Sequence, residues 1–446
     1  MYRRLILEII YWKICLIILG IVILFGIMIH LHYSKVLDLF DPYYWASAVY
    51  FAVMVIAPYT WVIKNKRTWY GASVLDNLIP ATLFFGCSFA VFTLVSISNV
   101  KTKEKRLLYN IEYRNKNYIE DEDPRLSFIS WCVFISGLVL TLIYLRYRGR
   151  TLLTSLSLGT MGAYKEDLTS TGSYWFLNQG TRVMICGVLM LFAFSKKTKA
   201  INFLAFVLTF MLVLSSGKRN QLMVIVLAPI IFYYLRRKKR PRLTSVLLFT
   251  VLFVFVLGLV GIWRSTFFRG GTLEKQSLSD TISSFMVNIE VFFPYYTMIS
   301  TVPDIFPYQL GASYLYTFLQ FIPRALWPSK PVPGVTKVTE AMFGEYAAWG
   351  PAYCNYAEMY LDFGVIGMLV GMGIFAGICI KMYRKGCGKY ANKFDMISFA
   401  LFLPYLFEYI TRGHFPSVAT EVFFMWGPLW VSRLWIKTNF MLKHTR

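Results

Sequence analysis

The sequence predicts an all-α, polytopic transmembrane helical bundle of about 11–12 spanning helices, each built from about 20 apolar residues. Three observations carry that prediction. Of 446 residues, 57% are hydrophobic and only 15% are charged, where a soluble domain carries about 25% charge. The apolar residues gather into runs long enough to cross a hydrocarbon core of roughly 30 Å. The 46 Lys and Arg stand against 23 Asp and Glu, a net charge of +23, and cluster just beyond those runs. Examples are Arg236, Arg237, Lys238, Lys239, Arg240 and Arg242 in one loop, and Lys381, Arg384, Lys385, Lys389 and Lys393 in another. This is the bias that keeps basic loops on the cytoplasmic side, not a nucleic-acid footprint. A bundle in lipid absorbs the whole chain, so 1–446 reads as a single transmembrane domain.

The first apolar run, Glu8 to Ile29, follows the basic residues Arg3 and Arg4 and includes Lys13. It is long and shows no small-residue cleavage signal, so a retained helix is expected. In order, the apolar runs place crossings near 9–29, 43–63, 74–98, 126–145, 181–195, 200–215, 220–235, 245–262, 357–380, 396–410 and 415–435. Eleven crossings put the two termini on opposite faces, whereas the basic residues at both ends favour the inside. The conflict lies in 99–180. There, 99–125 is densely charged with both signs, and a short or re-entrant crossing within Thr151 to Tyr164, shielded by protein, would restore parity. The C-terminal half votes more clearly: 216–219, 263–356 and 411–414 face outward, and 196–199, 236–244 and 381–395 face the cytoplasm. Cys15, Cys87, Cys132, Cys186 and Cys387 are scattered in or beside apolar runs and Cys354 stands alone, so they read as packing residues with no metal or disulfide framework.

Residues 263–355 form the longest non-spanning stretch, and their charges cancel. Ser283 to Thr301 and Leu310 to Phe321 are rich in aromatic and apolar residues, which points to partly buried or interfacial helices folded onto the bundle. Pro323, Pro328, Pro331 and Pro333 interrupt any helix there and fix the backbone around Arg324, Trp327 and Lys330. That segment reads equally as a binding element or as a proline-rich turn against lipid headgroups.

Charge close to a membrane is costly and therefore informative. Lys218 and Arg219 separate two crossings, Arg264 closes another, Arg182 opens one, and Arg412 and His414 separate the last two. Snorkelling or a helix-end role accounts for each residue singly. Their common placement on the inferred outward face points to a shared anionic ligand.

At these residues the chain resembles the bacterial oligosaccharide repeat-unit polymerases, the Wzy-like O-antigen and capsule polysaccharide polymerase family. The resemblance rests on Ser216-Gly217-Lys218-Arg219 between helices, the Arg264 helix end, and the segment from Phe321 to Pro331 with Arg324 and Lys330. It also rests on Ala357-Glu358-Met359-Tyr360-Leu361-Asp362-Phe363-Gly364 with Gly367, and on Arg412. Similar architecture extends over most of the chain, whereas the local motifs lie mainly in 210–415. The resemblance implies a GT-C-like glycosyltransferase that acts on the outer face of the bacterial cytoplasmic (inner) membrane. There it joins repeat units carried on undecaprenyl diphosphate, transferring the growing chain to the incoming lipid-linked unit. It also implies membrane lipid, a chain-length regulator and a flippase as partners.

Such chemistry needs cations for the leaving diphosphate, a base for the acceptor hydroxyl and an apolar entrance for the polyprenyl tail. Arg219, Arg264, Arg324, Lys330 and Arg412 are the diphosphate candidates, two or three of them in contact, because a guanidinium pairs with phosphate oxygens and a lysine supplies a point charge. An arginine cluster of this kind replaces a divalent metal, so neither a metal nor another cofactor is expected. His30 and His32 show no convincing acidic partner in sequence and read as interfacial residues. Three residues compete as base. Glu358 stands at the mouth of a helix, where it could equally stabilise exposed amides. His414 has a suitable ordinary pKa, near 6.5. Glu290 is an isolated acid in an aromatic run, where pairing for stability is the alternative. Asp362 shares a helix face with Glu358, yet diphosphate is already a good leaving group and needs no acid. Gly364 and Gly367 suit a bend or close helix contact. A lipid-linked-glycan ligase and a polytopic transporter are the competing functions; the first differs in its acceptor, the second forms no glycosidic bond.

Overall fold

Length and apolarity alone let seven described helical segments cross a membrane, which makes the chain a multi-pass, all-α membrane protein. The structure is a computed structural model and describes residues 2–101, 125–147, 149, 175–195, 199–216, 218–246, 248, 258, 289–322, 326–344 and 351–444. The crossing expected at 245–262 and the re-entrant segment expected within 151–164 fall almost wholly outside these residues.

The helices run in order as α1 (Tyr2–Ser34), α2 (Pro42–Ile63, with a π turn at Ala52–Ile56), α3 (Leu78–Lys101) and α4 (Arg125–Tyr147). α5 (Gly180–Phe194), α6 (Lys199–Ser215) and α7 (Arg219–Arg236) follow, the last two being shorter apolar helices. The stretch expected as an outward loop carries α8 (Phe293–Thr301), α9 (Ala312–Leu319) and α10 (Gly334–Phe343). Three long helices close the chain: α11 (Asn355–Cys387), α12 (Lys393–Thr411) and α13 (Phe415–His444). Among the described residues the only sheet is a two-stranded antiparallel hairpin, Thr68–Trp69 with Ala72–Ser73.

The chain divides into two compact units. The first comprises 1–105, 286–381 and 406–418. Its core is aromatic: Tyr50, Phe85, Phe89, Phe92, Tyr295 and Tyr356 are all almost completely buried, and the Tyr295 and Tyr356 rings meet edge to face at 4.9 Å. Tyr50 donates to the Asn355 side chain at 3.3 Å and accepts from it at 2.9 Å, so its polar tip is satisfied inside that core. Phe293 of α8 stacks on Trp61 with ring centroids 5.7 Å apart. The apolar content of α8 is therefore buried inside the unit, whereas Leu315 and Phe318 of α9 are exposed.

The second unit comprises 106–285, 382–405 and 419–446. α4 and α5 pack most intimately here because small residues meet across them. A β-carbon on Gly137 would lie 2.7 Å from the Met184 backbone nitrogen, and one on Gly187 would lie 2.7 Å from the Phe134 α-carbon. Helices in lipid gain little from hydrophobicity and associate through such close backbone approach.

Candidate active site

The first unit builds its site on a break in α11. Phe363 (φ −138°) and Gly364 (φ +61°) leave the helical region, so Asn355–Asp362 forms a two-turn segment ahead of the long apolar part. Gly364 adopts a left-handed conformation that side chains disfavour, and a β-carbon there would also press on the Tyr308 hydroxyl at 2.9 Å. Gly367 has no room either, its β-carbon falling 2.3 Å from the Met359 carbonyl oxygen. The polar residues of the short segment thereby face protein and not lipid.

Asp362 is completely buried and works as a helix cap. Its Oδ1 accepts the backbone N–H of Gly311 at 3.1 Å and of Ser313 at 3.4 Å, satisfying the first turn of α9. The Leu361 and Asp362 carbonyls accept Gln309 and Leu310 N–H at 3.0 Å each. α9 is thus fastened to the broken helix. Its far end is capped by Lys330, a buried residue whose ammonium donates to the Gln320 and Ile322 carbonyls at 3.1 Å each. Lys330 was expected at a diphosphate, but carbonyls at a helix end already attract a cation.

Glu358, 2% exposed, lies one turn before Asp362. Its Oε2 accepts the Phe415 backbone N–H at the start of α13. Its Oε1 has no hydrogen-bond partner and faces His414 Nε2 at 3.9 Å. His414 Nδ1 meets the Ser417 hydroxyl at 2.9 Å. The imidazole is about a quarter exposed, 26%, and burial pushes its pKa down to about 4. Two residues that sequence offered as rival bases are one pair. Tyr314 closes the site from α9: its ring lies 4.6 Å from that of Phe415. Burial, with smaller contributions from Asp362 and Glu358, pushes its hydroxyl up to about 12. Gln320 Nε2 also donates to the Pro416 carbonyl at 2.8 Å, which ties α9 to the turn carrying His414.

That turn is held by Gly413. A β-carbon there would fall 2.4 Å from the Asn355 β-carbon and 2.5 Å from the Tyr409 carbonyl oxygen. Arg412 is exposed on the same turn, its N–H donating to the Glu408 carbonyl at 2.7 Å. Glu290 is half-buried just before α8, and its neighbour Phe292 packs edge to face on Trp61. Arg264 and Arg324 lie outside the described residues. Arg219 is the first residue of α7, in the second unit.

Sequence reasoning missed Asn355, Tyr314 and Ser417 because none is charged. The available signals were the Gly413 between Arg412 and His414, and the Asp362-Phe363-Gly364 break. It also left His30 without an acidic partner. His30 is buried and meets Asp41 Oδ2 at 2.9 Å, a pairing across a turn that sequence spacing does not reveal. Among the described residues, no three His, Cys, Asp or Glu side chains converge as a metal site.

The second unit holds a separate polar cluster. Arg182, 5% exposed, pairs with Glu421 and donates to Gln179 Oε1 at 2.6 Å. Glu421 Oε2 accepts the Tyr405 hydroxyl at 2.7 Å. Lys218 Nζ reaches the Asn178 carbonyl at 3.1 Å. Removing one member of a buried ion pair strands its partner. Arg182→Met should therefore lose about 3–5 kcal/mol of stability, read by thermal unfolding in a fixed detergent. The double variant with Glu421→Gln should recover part of it, and additive losses would exclude the pairing.

No curated protein and no solved structure matches the chain. A family model described as O-antigen polysaccharide polymerase Wzy matches residues 4–445. With nearly the whole chain matched, on an all-α multi-pass scaffold, this protein belongs to the O-antigen polysaccharide polymerase Wzy family.

Proposed function

We propose that the chain extends surface polysaccharide by transferring the growing glycan from undecaprenyl diphosphate to the incoming lipid-linked repeat unit, on the outer face of the cytoplasmic membrane. Family membership supports O-antigen repeat-unit polymerisation at the level of the family. The observation that carries the mechanism is the Glu358–His414 pair, with a buried carboxylate oxygen lacking any hydrogen bond and aimed at an imidazole.

In this reading His414 Nδ1 takes the proton of the acceptor hydroxyl, in the position now held by the exposed Ser417 hydroxyl. The acceptor oxygen attacks the anomeric carbon of the donor sugar, the bond from that carbon to the diphosphate oxygen breaks, and the diphosphate leaves with the electron pair. Glu358 Oε1, facing His414 Nε2, orients the imidazole as it takes that proton. Tyr314, held protonated, supplies a donor to the same space.

Arg412, two residues from His414, is the diphosphate ligand nearest in sequence to this pair, and Arg219, Arg264 and Arg324 complete the proposed set. Substituting Arg219, Arg264 or Arg324 by Ala should each lower polymer formation on the order of 10²-fold, the size expected when one donor to developing charge is removed. Membrane abundance should stay unchanged. Normal polymer yield and length in all three would discard the set.

The activity itself is tested by giving purified protein in vesicles the lipid-linked repeat unit alone. Chain growth is expected. Unaltered substrate that reacts only when a different acceptor is added would make the protein a ligase, and movement across the bilayer with no new glycosidic bond would make it a transporter.

A further inference from the structure

The second unit contains a cavity of about 310 Å³ that the proposed reaction does not use. Its lining combines Leu235 in the last turn of α7 with Lys238 and Arg240 just beyond it, Gly386 and Cys387 at the end of α11 with Gly388 and Lys389 just beyond it, and Met396 in the first turn of α12. Three of these residues are cations and none is an acid. The acid nearest in sequence, Asp395, is engaged with Arg433 at 2.9 Å. Lys389 lies over the Tyr390 ring at 5.7 Å, and of the neighbouring cations Arg237 lies over Tyr233 at 4.5 Å and Lys393 over Phe194 at 5.4 Å.

Lys238 is the informative residue. α7 ends in the double closure that normally has glycine at its left-handed position. The Lys238 N–H bonds to the Leu235 carbonyl at 2.9 Å, and the Lys239 N–H to the Tyr234 carbonyl at 3.1 Å. Lys238 takes that position itself, at φ +52°. Glycine would fit the backbone better, so lysine here weakens the turn while placing a charge on the cavity wall. Both loops are those that the charge pattern assigns to the cytoplasmic surface, where anionic headgroups concentrate.

We infer that this cavity binds a phosphate group carried by a small anionic headgroup, through Lys238, Arg240 and Lys389. The occupant is either the phosphodiester of an anionic phospholipid or a soluble phosphate, and both present the same oxygens to the three cations.

The test follows thermal unfolding of the full-length protein in neutral detergent during titration with short-chain phosphatidylglycerol, short-chain phosphatidylcholine or inorganic phosphate. Phosphatidylglycerol should raise the midpoint while phosphatidylcholine does not. Each of Lys238→Gly and Lys389→Gln should weaken the apparent affinity about fivefold, the contribution of one cation near an anionic surface. Lys238→Gly should also raise the midpoint without any lipid, because it relieves the left-handed backbone, and this separates lost binding from lost folding. A lysine present only to neutralise the helix end would give the opposite sign. If inorganic phosphate alone reproduces the shift and competes with the lipid, the phosphate site stands and its occupant is soluble. The inference is overturned if both variants keep the full phosphatidylglycerol response, if phosphatidylcholine acts equally, or if no anion shifts the wild type.

Discussion

Glu358→Gln should bind the lipid-linked repeat unit normally and fail to extend it, with turnover falling about 10²- to 10⁴-fold, the range that a positioned proton-transfer group contributes. The substitution nearly preserves shape and leaves Oε2, or the amide oxygen in its place, able to accept from Phe415. It replaces one carboxyl oxygen of the group that faces His414 at 3.9 Å with an amide NH2. His414→Ala should fall by a similar factor, and the double variant should be little worse than either, because the two act as one unit. Multiplicative losses would separate them.

The pH profile adds a sign. Burial lowers the His414 pKa to about 4, so the imidazole is neutral, and able to accept a proton, at every pH well above that value. The ratio kcat/KM, which reports the free enzyme, should rise as pH increases through about 4 and stay level to neutrality. An inflection near the ordinary histidine value of about 6.5 that disappears in His414→Ala would contradict the lowered His414 pKa. Full turnover by Glu358→Gln at neutral pH would remove the pair from the mechanism.

Gly413→Ala should be the most damaging single-methyl change in the chain's last turn before α13. The added carbon would sit 2.4 Å from the Asn355 β-carbon and 2.5 Å from both the Asn355 α-carbon and the Tyr409 carbonyl oxygen. Two of those three obstacles are backbone, which cannot swing aside as a long side chain can. The turn must lift, carrying His414 and the Phe415 N–H away from Glu358. A displacement near 1 Å at a reacting group costs on the order of 10²-fold, and that loss should appear in polymer yield at matched membrane abundance. Size-exclusion behaviour and unfolding midpoint would distinguish a moved turn from a collapsed fold. Wild-type activity in Gly413→Ala would show that the turn's position is irrelevant to transfer.

These two expectations rest on different kinds of legibility. Glu358 and His414 were visible in sequence as unusual polar residues at helix mouths, but 56 positions separate them and nothing in the local pattern joins them. Their pairing depends on a glycine fitting against Asn355 and on the α11 break at Phe363 and Gly364. Lys330 shows the converse. Its proline-fixed surroundings suggested a ligand-binding cation, yet its ammonium closes the end of α9, a contact set by how the loop folds back on itself. Arg182 stood out as a charge at the start of a crossing, and its neutralisation by Glu421 spans 239 residues.

The sequence by itself determined that this is an all-α chain crossing a membrane many times, because apolar runs of bilayer length and flanking basic loops are local properties set by transfer free energy. It also marked Glu358, His414 and Arg412 as residues out of place in an apolar setting. Only the tertiary structure decided which of them share a site, since a proton relay depends on separations of a few ångströms between distant segments. Backbone close approach at glycines and a broken helix set those separations, and neither hydropathy nor charge pattern encodes them.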